Sequence, residues 1–276
     1  MGLNGLLPDV FAEDVTSVED YTQRIEKIKK FCEENKGYNF HFYFRGDRYC
    51  AKTQSNFFRD GNLVDENMNF EKWTNICTMK SKGFCNCDEK GKFICLAYMQ
   101  HYQGNTRLLD FTTDAKVALR FACGAKGDNC RKKVTIYNTN YIAVDGFNRD
   151  DLLSQFVQFV KSDVNLNNNL NIPTEDYFIE MPEKFPRIQR QKGLFLFMGN
   201  QTTSELMKTN RDDCENNQNK KVKHELSPTK GRGTEYDGYV GVLSISPNAV
   251  EQIRNELEQT IDYNMNYLMG EDICQN

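Results

Sequence analysis

Between Gln100 and Thr112 the chain reads Gln-His-Tyr-Gln-Gly-Asn-Thr-Arg-Leu-Leu-Asp-Phe-Thr, a run that gathers several side chains able to do chemistry. His101 can take or give a proton near neutral pH, because an imidazole titrates there. Tyr102 adds a ring and a hydroxyl, and Gly104 permits a tight turn or a close backbone approach. Arg107 presents a planar fork of donors suited to phosphate or carboxylate. Asp110 lies between Leu109 and Phe111, which predicts a position close to the core. An unpaired carboxylate is costly there, so an arginine partner is expected, either Arg107 or Arg45. For His101 a second reading stands beside the catalytic one: an imidazole at a helix end, satisfied by backbone.

Two other segments carry matching chemistry. Asn39 to Arg45 alternates, with Phe40, Phe42 and Phe44 on one side and His41, Tyr43 and Arg45 on the other. Alternation of this kind predicts a strand whose aromatics fill the core while Arg45 projects from the opposite face. Gly46 follows and lets the chain turn or a ligand approach. Arg45 at such a strand end suits an anion such as a phosphate; equally, it could pair with Asp47 or Asp110. Further on, Arg187 and Gln191 precede an apolar stretch from Gly193 to Met198 that reads as a buried strand.

These three segments, Phe44-Arg45-Gly46, Gln100–Thr112 and Arg187-Ile-Gln-Arg-Gln191-Lys-Gly193-Leu-Phe195, stand in the order of the motifs of the FRG domain, a bacterial family named for Phe-Arg-Gly. The chain resembles that family from about Phe44 to Phe195. In the middle block Gln103 is inserted before Gly104, and Phe111 stands where the family has Trp. The layout is more distantly similar to ADP-ribosyltransferases, and that likeness implies NAD as cofactor. By resemblance, Arg45, Gly46, Thr106, Arg107 and Arg187 form the cofactor-binding set, with Arg45 on a phosphate. His101, Tyr102, Asp110 and Gln191 form the catalytic set. Tyr102 would stack on a ring, His101 would hydrogen-bond the ribose, and Asp110 would orient Arg107 or Arg45. The likeness departs at Gln191, where ADP-ribosyltransferases carry a glutamate. Either another carboxylate such as Asp110 replaces it, or the domain binds without turnover. The implied roles are an NAD-using ADP-ribosyltransferase-like enzyme or NAD glycohydrolase, acting as a toxin or phage-defence effector on a protein or nucleic-acid acceptor. The other class is a non-catalytic nucleotide or nucleic-acid sensor.

The elements that must position these groups follow from periodicity. Ser17 and Asp20 form a weak capping box ahead of Val18, Tyr21, Ile25, Ile28 and Cys32, whose steps of three and four predict an amphipathic helix over 17–36. Phe93 to Tyr102 reads as a helix stopped by Gly104. Thr112, Thr113 or Asp114 caps another over Ala115–Cys123, with Val117, Ala118, Phe121 and Ala122 as its buried stripe. Its N-terminus would offer amide donors to an anion. Strands are expected over Val134–Tyr141, Tyr177–Glu180 and Gly238–Ser246. Leu152 to Val160 marks a helix, and one more follows Ser246-Pro247 with Val250, Ile253 and Leu257 inward. Without regular strand–helix alternation, Walker loop or dinucleotide glycine fingerprint, the fold class is α+β, with a mixed, mostly antiparallel sheet flanked by helices. By resemblance it is ADP-ribosyltransferase-like. A single domain is expected: a core over 39–200, a polar mobile insertion over 208–236 and a C-terminal strand and helix over 238–260.

Composition narrows the partners. At 276 residues the chain can bury one full core. A net charge of −4 gives no global attraction to nucleic acid or an anionic membrane. The N-terminus lacks a basic, apolar leader pattern, and no apolar run approaches a membrane span, so a cytoplasmic protein is expected. Ten cysteines in such a compartment are read as thiols. Cys77, Cys85, Cys87 and Cys95 cluster, but their spacing is not paired Cys-x-x-Cys and the chain has three histidines, so no metal site is expected.

Overall fold

The computed structural model describes residues 3–35, 41–49, 51, 97, 100, 106, 108–124, 127–128, 130–139, 144–145, 177–180, 186–197 and 238–270. The expected helix 152–160, the polar segment 208–236 and the cysteines from Cys77 to Cys95 lie outside these residues.

The chain enters through two single-turn helices, Leu3–Leu6 and Pro8–Phe11, and then a long helix, Val18–Glu34. Ser17 caps the long helix by accepting from the Asp20 amide at 3.0 Å, and Asp20 reaches back to the Thr16 amide. Its buried side chains are Val18, Tyr21, Ile25, Ile28 and Cys32, the stripe that the spacing predicts.

Among the described residues seven strands form one sheet: β1 (His41–Arg48), β2 (Leu108–Thr112), β3 (Lys132–Thr139), β4 (Val144–Asp145), β5 (Tyr177–Glu180), β6 (Gly193–Phe197) and β7 (Gly238–Ile245). Their order is β4-β5-β6-β2-β1-β3-β7, and every pairing is antiparallel except β4 with β5. The architecture is α+β with a mixed, mostly antiparallel sheet.

One face of the sheet packs on helices. Phe44, Val134, Ile136, Leu243 and Ile245 meet Tyr21, Ile25 and Ile28 of the long helix, Ala118, Leu119 and Ala122 of helix Ala115–Cys123, and Ile253 and Leu257 of helix Val250–Glu258. The other face carries a second cluster around Phe178, whose ring lies 4.3 Å from Tyr43, 5.1 Å from Phe111 and 5.0 Å from Tyr137. This corrects the expectation for β1. The strand runs on to Arg48 instead of ending at Arg45, and both Tyr43 and Phe44 are buried. The reason is position: β1 lies between β2 and β3 at the sheet centre, where both faces are covered, so alternation marks two cores and not core against solvent.

Gly46 is the tightest point of this packing. A Cβ there would lie 1.9 Å from the Ala118 carbonyl oxygen and 2.5 Å from the Ala122 nitrogen. The missing side chain lets helix Ala115–Cys123 cross β1 in contact, with small residues one turn apart on the helix side. The expected turn at Gly46 does not form, and its close approach is to a helix.

Candidate functional site

Among the described residues, β1 and β2 pair at Phe44 and Thr112. Just past that pair the Arg45 guanidinium joins the two strands. Its Nη1 donates to the Asp110 backbone carbonyl at 2.7 Å, and its Nε and Nη2 make a bidentate pair with Asp47 at 2.7 and 3.0 Å. Two residues along a strand share a face, so Arg45 and Asp47 meet without any turn. Both side chains are largely buried, at 13% and 11% exposure. Of the partners left open for Arg45 by the sequence, both aspartates are used. The fork is therefore committed, and its charge is matched by a carboxylate.

Asp110 is held on two sides. Gln100 Nε2 donates to its Oδ2 at 3.0 Å, and Arg45 Nη1 stands 3.9 Å from the same oxygen. Gln100 is itself fixed: Thr106 Oγ1 donates to its Oε1, and the Leu108 amide donates to Thr106 Oγ1 at 3.1 Å. A chain of oriented bonds thus runs from the start of β2 through Thr106 and Gln100 to the carboxylate. Asp110 Oδ1 ends that chain, buried and without a hydrogen-bond partner among the described residues. The side chain as a whole is 49% exposed, so the carboxyl group sits at an opening. An oriented carboxylate with one unused acceptor can receive a hydroxyl or amide donor from a bound molecule.

Thr106, Arg45 and Asp110 therefore come together, with Gln100 and Asp47 as members that the sequence reading did not single out as site residues. Asp47 had a legible signal, an aspartate two places after an arginine on a strand. Gln100 had none beyond its place next to His101. His101, Tyr102 and Arg107 lie outside the described residues, but the two residues flanking positions 101–105, Gln100 and Thr106, are hydrogen-bonded to each other beside Asp110.

Gln191 and Arg187 make their described side-chain contacts with the C-terminal segment. Gln191 is buried, and its Nε2 donates to the Leu268 carbonyl at 2.9 Å; its own carbonyl accepts from Thr112 Oγ1 at 2.7 Å. Arg187 Nη2 lies 3.1 Å from Met269 Sδ, and Arg190 donates to the Gly270 carbonyl with its guanidinium over the Tyr267 ring. Helix Pro186–Arg190 and the residue after it thus bind the C-terminal segment Met265–Gly270 to the end of β2. A side-chain amide spent on a backbone carbonyl is a structural tie.

Just past the same end of β2, Asp114 caps helix Ala115–Cys123. Its Oδ1 accepts from the Lys116 and Val117 amides, and its Oδ2 takes the Lys192 ammonium at 2.7 Å. The helix N-terminus is closed by this carboxylate, so the expected anion-binding amides are already used. The hydrogen bond and charge of Asp114 raise the Lys192 ammonium above its ordinary range. Burial first, and then Asp114, raise the Tyr263 phenol beside it.

No group of three or more metal-binding side chains occurs among the described residues, and no described helix is long and apolar enough to cross a membrane. The geometry defines a class, an α+β domain with an arginine-braced aspartate at its sheet centre. Residues 40–130 match the model of the FRG domain. The match takes in Arg45, Gly46, Asp47, Gln100, Thr106 and Asp110, and ends before Arg187. No curated protein and no solved structure matches the chain.

Proposed function

We propose that the FRG domain binds an NAD-type nucleotide beside Asp110 and cleaves its nicotinamide–ribose bond, as an ADP-ribosyltransferase-like enzyme or an NAD glycohydrolase. The observation that supports this most is the buried Asp110 Oδ1 without a donor, on a carboxylate whose other oxygen is held by Gln100. In this reading Asp110 does the work of the glutamate that is replaced by Gln191. It accepts a ribose hydroxyl and offsets the positive charge that develops on the sugar as nicotinamide leaves with the bonding electrons. His101 hydrogen-bonds the ribose, Tyr102 stacks on a ring, and Arg107 takes a phosphate. Arg45, matched by Asp47, positions Asp110 through its backbone carbonyl. The acceptor is a protein, a nucleic acid or water.

A second reading is a non-catalytic nucleotide or nucleic-acid sensor. It is favoured by the commitment of Gln191 to Leu268, which leaves the late block without a group for catalysis. Calorimetry with NAD and a nicotinamide-release assay on one preparation separate the two. Turnover that falls by about 10²–10³ in Asp110→Asn, at unchanged melting temperature, supports the enzyme. Affinity without nicotinamide release supports the sensor. No NAD binding at millimolar concentration removes both for this ligand.

A further inference from the structure

A cleft of about 410 Å³ opens where the long N-terminal helix passes the cap of helix Ala115–Cys123, a size within the range of small-molecule sites. Three lysines from three separate elements line it: Lys29 on the long helix, Lys116 in the first turn of the second helix, and Lys192 between helix Pro186–Arg190 and β6. Lys192 is the one non-glycine residue with a left-handed backbone among the described residues, at φ 45°. That conformation costs energy for a side-chain-bearing residue, and here it accompanies an ammonium directed onto Asp114. Lys116 is held over the Tyr263 ring at 5.9 Å from its centre.

The acidic groups at the cleft are in part already engaged. Asp114 is saturated by two amides and Lys192, and Glu26 is the other carboxylate in the lining. The lining carries three lysines and two carboxylates, and Asp262, next to Tyr263, also acts on Lys192. Tyr21 does not compete for a ligand, since its hydroxyl donates to the Ala115 carbonyl at 2.9 Å. The floor of the cleft is thus closed by satisfied groups, while the lysines around it retain donors: an ammonium has three, and Asp114 takes one of those on Lys192.

We propose that this cleft is a binding site for a small polyphosphate, either free or as the tail of a nucleotide, held by Lys29, Lys116 and Lys192. The site stands apart from Asp110 and does not depend on the function proposed above. Asp114 already occupies the Lys116 and Val117 amides, so the anion is recognised by ammonium groups.

The test is calorimetry on the full chain at physiological salt, with inorganic triphosphate in one arm and ATP in the other. The expected result is saturable one-to-one binding that Lys29→Glu with Lys116→Glu weakens about tenfold or more, through lost attraction and added repulsion. Asp110→Asn leaves it unchanged. Binding of ATP far tighter than triphosphate identifies a nucleotide tail, and equal binding identifies free polyphosphate; both support the site. Lys29→Glu alone, at an exposed helical position, keeps the test available if the double variant does not fold. Absence of saturable binding, insensitivity to the charge reversals, or loss in Asp110→Asn overturns the proposal.

Discussion

Asp47→Ala is the substitution that separates what Arg45 does from what its place in the Phe-Arg-Gly motif suggests. In the native protein the carboxylate takes Nε and Nη2 at 2.7 and 3.0 Å, and the two side chains are exposed by only 13% and 11%. Removing one member of a buried pair costs about 3–5 kcal/mol, because the other charge is left without compensation. Arg45 keeps its bond to the Asp110 carbonyl and some contact with water, so the lower end, about 3 kcal/mol, applies here. For a chain of this size that lowers the melting temperature by roughly 6–12 °C. Thermal and urea melts measure it. The double variant Arg45→Met with Asp47→Leu should recover part of the loss, since an apolar pair of similar volume carries no desolvation cost. Ligand binding gives the second readout. If Arg45 positions Asp110, NAD affinity falls with Asp47→Ala as the guanidinium shifts. If Arg45 is a phosphate anchor, affinity rises, since its charge is no longer matched. A stability loss below about 1 kcal/mol refutes the argument, since it puts the pair on the footing of a surface ion pair.

Three further outcomes follow from the same geometry. Gly46→Ala destabilises the protein by at least the 1–3 kcal/mol typical of overpacking, read by thermal melt. Ala118→Gly does not rescue it, because the clash is with the Ala118 backbone oxygen and the Ala122 nitrogen. Asp128 is held well below the ordinary carboxylate value of 3.8, chiefly by its hydrogen bond from Lys132, with burial opposing and Cys130 and Arg48 assisting. A lowered native value means that its stabilisation is present above the ordinary carboxylate range and fades as the pH falls below it. Asp128→Asn, which leaves the Lys132 ammonium, 1% exposed, without its carboxylate, should lower the melting temperature at neutral pH and flatten its fall in acid. Gln191→Leu removes the donor to the Leu268 carbonyl, a loss of about 1–3 kcal/mol. It speeds amide exchange in Met265–Gly270 while leaving NAD binding at Asp110 unchanged; reduced binding there would return Gln191 to the ligand site.

How far the sequence carried the fold depended on what each pattern encodes. The long helix was legible because Ser17 and the three-and-four spacing from Val18 to Cys32 are local signals, and so was Tyr177–Glu180 as a short strand. Leu108–Thr112 was not legible as a strand. Four of its five residues are buried, and it pairs with β6, about eighty residues on; no local period reports such a partner. β1 was legible as a strand, but not its second buried face, where Tyr43 meets a core made by Phe178. For the site, Arg45 with Asp47 and Asp110 was readable as one of two outcomes, because an arginine near the core needs a carboxylate. The pairing of Lys192 with Asp114 was not readable, since it depends on a left-handed residue and on two segments 78 positions apart.

The residues of the motif divide accordingly. Gly46 admits a helix, Arg45 joins β1 to β2, and Thr106 with Gln100 fixes the carboxylate, so each has a structural task that explains its residue type without a ligand. Asp110 Oδ1 does not. A buried carboxylate oxygen without a donor is costly, and replacing Asp110 by a residue with no such oxygen would remove that cost. Its place at the end of an otherwise satisfied chain of hydrogen bonds leaves an acceptor that a bound molecule can fill. Asp110→Asn isolates that oxygen. An amide keeps the shape, and its carbonyl can still accept from Gln100. If the variant is as stable as the wild type and has lost its ligand, the unsatisfied oxygen exists for binding. If it is more stable and still binds, the ligand addresses another group and Asp110 is only the end of a brace.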